Sequence, residues 1–346
     1  MKLKRKNLGD LVDPKKYRDP INIDGYDSDL LMSMLGTMLL IRGVEEKLAE
    51  CKKNDLIVGP VHLGAGQEAI AVGVSNNLVD SDRVFGTHRS HAHLLALDPC
   101  IHGLFAEVLG KKTGVSKGMG GSMHLSKPDS GFIGSVPIVA ATIPLAVGAS
   151  FDAKRRGSDG IGVAYLGDGA AEEGIFHESL NLSKILCTPT LFVVENNLFS
   201  SHMHISLRQP SDTIARFAEA NAIEYKIVDG NNVIEVYEAS KYLIKGCRNG
   251  EGPKLLEGVT FRQFGHVDWR KDIDVGVNRS EKNLLSWKKR DPIDRLYLSF
   301  LQAKIITENQ YQELNQEIED KINHSWDKAM NDPYPDEEEL IKPVYK

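Results

Sequence analysis

The chain has 346 residues, 41% of them hydrophobic, which is long and apolar enough to bury a large core without covalent staples. Its net charge of −6 is spread over interspersed acids and bases, which excludes the basic face that nucleic-acid binding needs. The four cysteines, at 51, 100, 187 and 247, have no CxxC or zinc-type spacing and read as small buried hydrophobes of a reducing compartment.

The opening MKLKRKNLGD is basic, but no apolar run follows it, so no secretory signal is expected. Nor does any stretch reach the roughly 20 apolar residues of a membrane span, and the cytoplasm is the expected location. Residues 1–26 are polar and contain proline, and they read as an N-terminal extension to a single domain over 27–346. Leu31, Leu35, Leu39 and Ile41 recur at helical spacing and predict a helix over Asp29–Cys51. From Gly59 to Gly148 glycines crowd the segments GAGQEA, GKKTG, SKGMGGSMH and GFIGSVP, which suggests backbone pressed against a ligand or neighbour.

Residues 161–260 alternate between strand and helix patterns. Strands are predicted at Ile161–Leu166, Thr190–Glu195, Ile223–Val228 and Lys254–Thr260, with helices at Ala170–Leu186 and Val233–Cys247 between them. This rhythm predicts an α/β fold, a mostly parallel sheet with helices on both faces. A helical C-terminal region is expected from about 281, ending in an acidic stretch, DPYPDEEEL.

The first of these strands runs into Gly167, Asp168 and Gly169, and 26 residues, 170 through 195, separate Gly169 from Asn196 and Asn197. That gap is about one crossover. Ligands of open α/β sheets sit at the carboxyl ends of strands, and neighbouring strands lie roughly 4.8 Å apart, so Asp168 and Asn197 can converge on one ion. A carboxylate and an amide oxygen, with open positions for diphosphate oxygens and water, suit Mg²⁺. The flanking glycines admit the diphosphate, and a helix starting near Ala170 is expected to offer it N–H groups and a positive dipole end. Gly167, Gly169 and Gly174 do not make a dinucleotide fingerprint: the third glycine is two positions late, and Asp168 would repel a bare pyrophosphate.

GDG followed by about 26 residues and NN resembles the thiamine-diphosphate motif. GDGAAEEG…ENN, with SKGMGGSMH, THRSHAH, IPLAVGA and TFRQFGH, is similar to the alpha subunits of the first component of pyruvate, branched-chain and acetoin dehydrogenase complexes. The resemblance covers roughly residues 30 to 340 and implies the thiamine-diphosphate-binding fold. It implies thiamine diphosphate and Mg²⁺ as cofactors, with Asp168, Asn197 and the backbone carbonyl of Phe199 as metal ligands. A YRxH motif matches His88–His91, which assigns Arg89 to the diphosphate and puts His88 in the tyrosine's position. RxxGH matches Arg262 and His266, beside the diphosphate and reaction centre. Backbone contacts to the aminopyrimidine, from a GIVG segment, fall on Pro137, Ile138, Val139 and Ala140. Pro137 keeps a carbonyl but has no N–H to donate. Gly167, Gly169 and Ala170 complete the cofactor cradle.

His91 and His266 are the candidate proton-handling residues, because imidazole titrates near working pH. His88, His91 and His93 also form an HxxHxH pattern that could be read as a zinc cluster, but no supporting carboxylate or cysteine follows. His93 and His124 read as packing residues, and His202 and His204 as part of a solvent-facing loop. The resemblance implies a beta subunit that supplies the activating glutamate, an α2β2 assembly, a 2-oxo acid or acetoin as substrate, and a lipoyl-bearing acyltransferase component as acceptor. The competing readings are a transketolase-like carboligase and a catalytically silent scaffold. The loop GHVDWRKDIDVG lacks the serines that mitochondrial members phosphorylate, so that form of control is not expected.

Overall fold

The computed structural model describes residues 7–276 and 278–341. The basic residues 1–6 of the predicted extension, and residues 342–346 of the predicted domain, lie outside the described residues. The first long helix, α1, spans Ser28–Lys53; Asp27 caps it by accepting from the Leu30 N–H, and Lys52 and Lys53 suit the negative dipole end. Helix α2 (Glu68–Ser75) leads to a short strand, β1 (Arg83–Gly86), then α3 (His91–Leu97) and α4 (Ile101–Val108). Strand β2 (Phe132–Ser135) precedes α5 (Ile143–Arg156), which starts with a proline in its first turn and stops at Gly157, φ +67°.

The region predicted as βαβ units follows. Strand β3 is Gly162–Gly167, α6 Gly174–Leu186 and β4 Thr190–Asn196. A two-stranded ribbon of β5 (Phe199–Ser200) and β6 (Met203–His204) comes next, then α7 (Ala215–Ala220), β7 (Glu224–Asp229), α8 (Val233–Arg248) and β8 (Lys254–Val259). Helices α9 (Glu281–Lys288), α10 (Pro292–Gln302) and α11 (Glu308–Asn331) close the described chain. One expectation is corrected: the helix predicted from Ala170 begins at Gly174. Residues Ala170–Glu172 form a separate 3-10 turn, and extended backbone at Glu173, ψ 139°, breaks the two apart.

The main sheet has the order β2-β1-β3-β4-β8-β7, and every neighbouring pair is parallel. Alternation sorts its side chains to two sides. Val163, Tyr165, Leu191 and Val193 join one core with α1, α2, α4, α8, α10 and α11. Ala164, Leu166, Phe192 and Val194 join a second core with α5, α6 and α7. A parallel sheet needs cover on both faces, and this one has it.

The predicted extension is not loose where it is described. Arg290 and Arg295 donate to the carbonyls of Leu11 and Asp19 at 2.7 and 3.0 Å, and Ser299 donates to that of Ile21 at 2.7 Å. The same two guanidiniums hold the buried carboxylate of Asp229, at the end of β7, at 2.6 and 2.7 Å. Among the described residues no helix is long and apolar enough to cross a membrane.

Candidate active site

Because the strands run parallel, their carboxyl ends share one edge, and the segments leaving β1, β2, β3, β4 and β8 enclose a cavity of about 240 Å³ there. His88 and Arg89 follow β1, Val139 follows β2, and Gly167, Asp168, Gly169 and Ala170 follow β3. Asn197 and Phe199 come after β4, and Arg262 and His266 after β8. All of these were expected from sequence and all line the cavity. Pro137 and His91 are not among its lining residues.

Asp168 is 1% exposed; its Oδ2 pairs with Arg208, and its Oδ1 is buried with no partner. Burial pushes its carboxyl up and Arg208 opposes the shift. Asn197 donates its Nδ2 to Gln67 Oε1 at 3.0 Å, which turns its Oδ1 the other way, where it accepts from the Phe199 N–H at 3.2 Å. Between the two, Leu198 holds φ +70°, a left-handed turn that carries the chain from β4 into the ribbon. A side chain at Gly169 would strike Ser200, with its Cβ 2.4 Å from Oγ. At Gly167 a Cβ would meet nothing within 4 Å and would stand in open space beside the cavity.

Two guanidiniums complete the site. Arg89 is 6% exposed and donates to the carbonyls of Leu63 and His266 at 2.6 and 3.1 Å; Arg262 is 2% exposed and donates to the Ser201 carbonyl at 3.0 Å, with Nη1 unpartnered. Among the described residues neither forms an ion pair with a carboxylate. Desolvation brings Arg89 down to about 10, against the pull of Glu45 and Glu195, and desolvation with the charges of Arg89 and Arg279 pulls Arg262 well below the usual guanidinium range. Buried cations are stable only when an anion meets them. A diphosphate neutralised in part by a divalent ion at Asp168 Oδ1 and Asn197 Oδ1 fits this set: one orphaned carboxylate oxygen, one amide oxygen and two unpaired guanidiniums.

The remaining histidines divide. His91 is buried between Glu45 and Ser122, with Nδ1 3.2 Å from Glu45 Oε2 and Nε2 2.9 Å from Ser122 Oγ, so both ring nitrogens are engaged away from the cavity lining. His93 stacks on Tyr165, ring centroids 3.7 Å apart, and reaches Glu195 Oε1 at 3.2 Å. The HxxHxH pattern therefore does not converge on one ion. His88 turns instead toward His62 and His266. His266 is brought down to about 4, first by desolvation and then by Arg89 and Arg262, and so is neutral near pH 7. His202 contacts Asp272 at 3.1 Å, and His204 contacts Ser206 at 2.9 Å.

Sequence reasoning missed Gln67, Glu195 and Arg208. Gln67 sits in the glycine-rich GAGQEA stretch, but nothing local marks the glutamine as the partner of an amide 130 positions away.

A family model described as dehydrogenase E1 component matches residues 36–338. The alpha subunit of the acetoin:2,6-dichlorophenolindophenol oxidoreductase of Bacillus subtilis is 36% identical over 312 residues, 90% of this chain and 92% of that protein. The alpha subunit of the pyruvate dehydrogenase E1 component of Rhizobium meliloti is 34% identical, covering 89% of this chain and 87% of its own. A second acetoin:2,6-dichlorophenolindophenol oxidoreductase alpha subunit, from Cupriavidus necator, is 33% identical over 92% of this chain and 95% of its own.

Proposed function

The chain belongs to the dehydrogenase E1 component family, as an alpha subunit, and from that premise we propose that it binds thiamine diphosphate and Mg²⁺ and, with a beta subunit, decarboxylates a 2-oxo acid or cleaves acetoin. The acyl unit then passes to a lipoyl group of an acyltransferase component. The observation that carries this reading is the pair of buried, unpaired guanidiniums, Arg89 and Arg262, facing an orphaned Asp168 oxygen at the carboxyl edge of a parallel sheet.

Asp168, Asn197 and the Phe199 carbonyl hold the metal, and Arg89 and Arg262 neutralise the diphosphate charge. Bound there, thiamine diphosphate supplies the carbon nucleophile and the electron sink that carbonyl cleavage needs. His266, neutral beside the two arginines, lines the same cavity as a hydrogen-bonding group for the substrate. His88 lines the wall beside it. Val136, Ile138 and Val139 form an apolar rim that shields the cofactor from water, and the carbonyl of Pro137 serves the aminopyrimidine only as an acceptor. His91 acts at one remove, through Ser122, whose hydroxyl also accepts from the His62 N–H at 3.5 Å.

The chain's own carboxylates in the cavity are committed, Asp168 to the metal and Glu195 to His93. This accords with the family resemblance, which implies that the activating carboxylate comes from a beta subunit at an interface of an α2β2 assembly. Ile138, 69% exposed, and Val139, 52% exposed, offer that partner an apolar edge beside the cavity.

Calorimetry on Asp168→Ala tests the metal assignment: Mg²⁺-dependent binding of thiamine diphosphate is expected to vanish, and unchanged binding sinks it. Co-expression with the beta subunit, followed by a screen of pyruvate, branched 2-oxo acids and acetoin with free lipoamide as acceptor, tests the reaction. Formation of a new carbon–carbon bond without acyl transfer would identify a carboligase instead.

A further inference from the structure

We propose that His62, His88 and His266 form a second metal site in the wall of the cavity, selective for a borderline divalent ion of the Zn²⁺ class. Each offers one ring nitrogen, and these three atoms lie within 4.8 Å of one another. The ring centroids of the three pairs stand 4.7, 5.3 and 5.5 Å apart. Tetrahedral zinc, with Zn–N bonds of about 2.0–2.1 Å, needs its ligand nitrogens roughly 3.4 Å apart, so binding requires the rings to close on one another.

Ring nitrogens of buried histidines are normally consumed by hydrogen bonds, and two of the three rings here each keep one that is not. His62 Nδ1 and His88 Nε2 are buried without a partner, and His62 is only 7% exposed. His266 Nδ1 touches Arg89 Nη2 at 3.5 Å, too long a contact to hold its tautomer.

Charge argues the other way and sets a condition. Arg89 and Arg262 repel a bare dication, while Asp272, bonded to the His266 N–H at 2.7 Å and to the His202 ring at 3.1 Å, returns one negative charge. The ion therefore binds with an anionic fourth ligand, hydroxide or chloride, on the cavity side. Imidazole ligands select against Mg²⁺, which prefers oxygen, so this site and the one at Asp168 take different ions. Because His88 and His266 line the cavity, occupation withdraws both from the cofactor and is inhibitory. Metal affinity of the trio does not depend on what the cavity turns over.

The test is titration of the chelator-stripped full chain with Co²⁺, whose visible d–d bands report tetrahedral nitrogen ligation. One equivalent per chain is expected, displaced by Zn²⁺, with affinity reduced about 10- to 100-fold or more in His88→Tyr and in His62→Gln. Thermal melts show which variant is folded, and either one suffices. Asp168→Asn is expected to keep the band while losing Mg²⁺-dependent cofactor binding, which separates this site from the proposed function. Absence of a tetrahedral band, its survival at full strength in a folded histidine variant, or its loss in Asp168→Asn overturns the assignment.

Discussion

A carboxylate that is to receive a divalent ion has to be kept from satisfying itself on the protein, and Asp168 is half kept so. Its Oδ1 is unpartnered, but Oδ2 is paired with Arg208, which also reaches Glu172. Removing one member of a buried pair costs about 3–5 kcal/mol, so Arg208→Leu is expected to destabilise the metal-free chain by that order, with Mg²⁺ restoring part of the loss. Urea denaturation with and without Mg²⁺ measures both, and a variant as stable as the parent removes Arg208 from this role. Gln67 orients the Asn197 amide, and such supporting contacts typically govern 10- to 100-fold in metal affinity. Gln67→Leu should therefore weaken Mg²⁺-dependent cofactor binding by about that factor in calorimetry while the melting temperature stays near the parent's. Asp168 and Asn197 were legible because the spacing of GDG and NN across one crossover has a chemical meaning, whereas Arg89 and Arg262 were reached only through the family resemblance. Gln67 and Arg208 were not, since only tertiary packing brings them to the edge where the motif ends, and Glu195, although inside the ENN segment, has a partner, His93, that only the fold supplies.

Among the elements, the segment after β2 stores strain. Ala140 lines the cavity at φ +63°, where the resembled GIVG segment has glycine. A left-handed residue with a Cβ costs about 1–2 kcal/mol, and glycine returns roughly 0.5–1 of that through chain entropy. Ala140→Gly is accordingly expected to stabilise the chain by up to about 1 kcal/mol in equilibrium unfolding, and a destabilised variant contradicts the strain. At the far edge of the sheet, Lys254 on β8 donates to Glu224 on β7 and holds its carboxyl below the usual range. A depressed carboxyl contributes stability that is present above its unfolded value and is lost as pH falls through the folded one. Melting temperature should fall between pH 5 and pH 3 less steeply in Lys254→Met than in the parent, by a small margin because Glu224 is exposed. Strands β3, β4, β7 and β8 were readable as apolar runs spaced by helices. Strands β1 and β2, four residues each and set among glycines, carry too little pattern to be read. The late start of α6 was hidden because nothing in AAEEG distinguishes a 3-10 turn from a first helical turn.

At the scale of the whole molecule, an apolar surface is left uncovered on α5 and α6: Leu145, Leu182 and Ile185 are 55%, 49% and 71% exposed. A face of this kind is expected to be buried in an assembly. Ile185→Glu should reduce association with the beta subunit in size-exclusion chromatography with light scattering, leaving the melting temperature of the chain alone unchanged; undiminished assembly would clear this face of the role. The wall of the cavity is drawn from residues as far apart as Gln67 and His266, delivered by five strand ends and by the turn into α2. No fragment of the chain can therefore carry the site, and a bound cofactor reports on the entire fold. By mass action, ligand at about 100 times its dissociation constant adds about 2.7 kcal/mol to global unfolding. The vitamin-derived cofactor would then act as a folding ligand as well as a reagent. Where it is scarce, the first loss would be protein itself, as the empty chain opens more often to proteases.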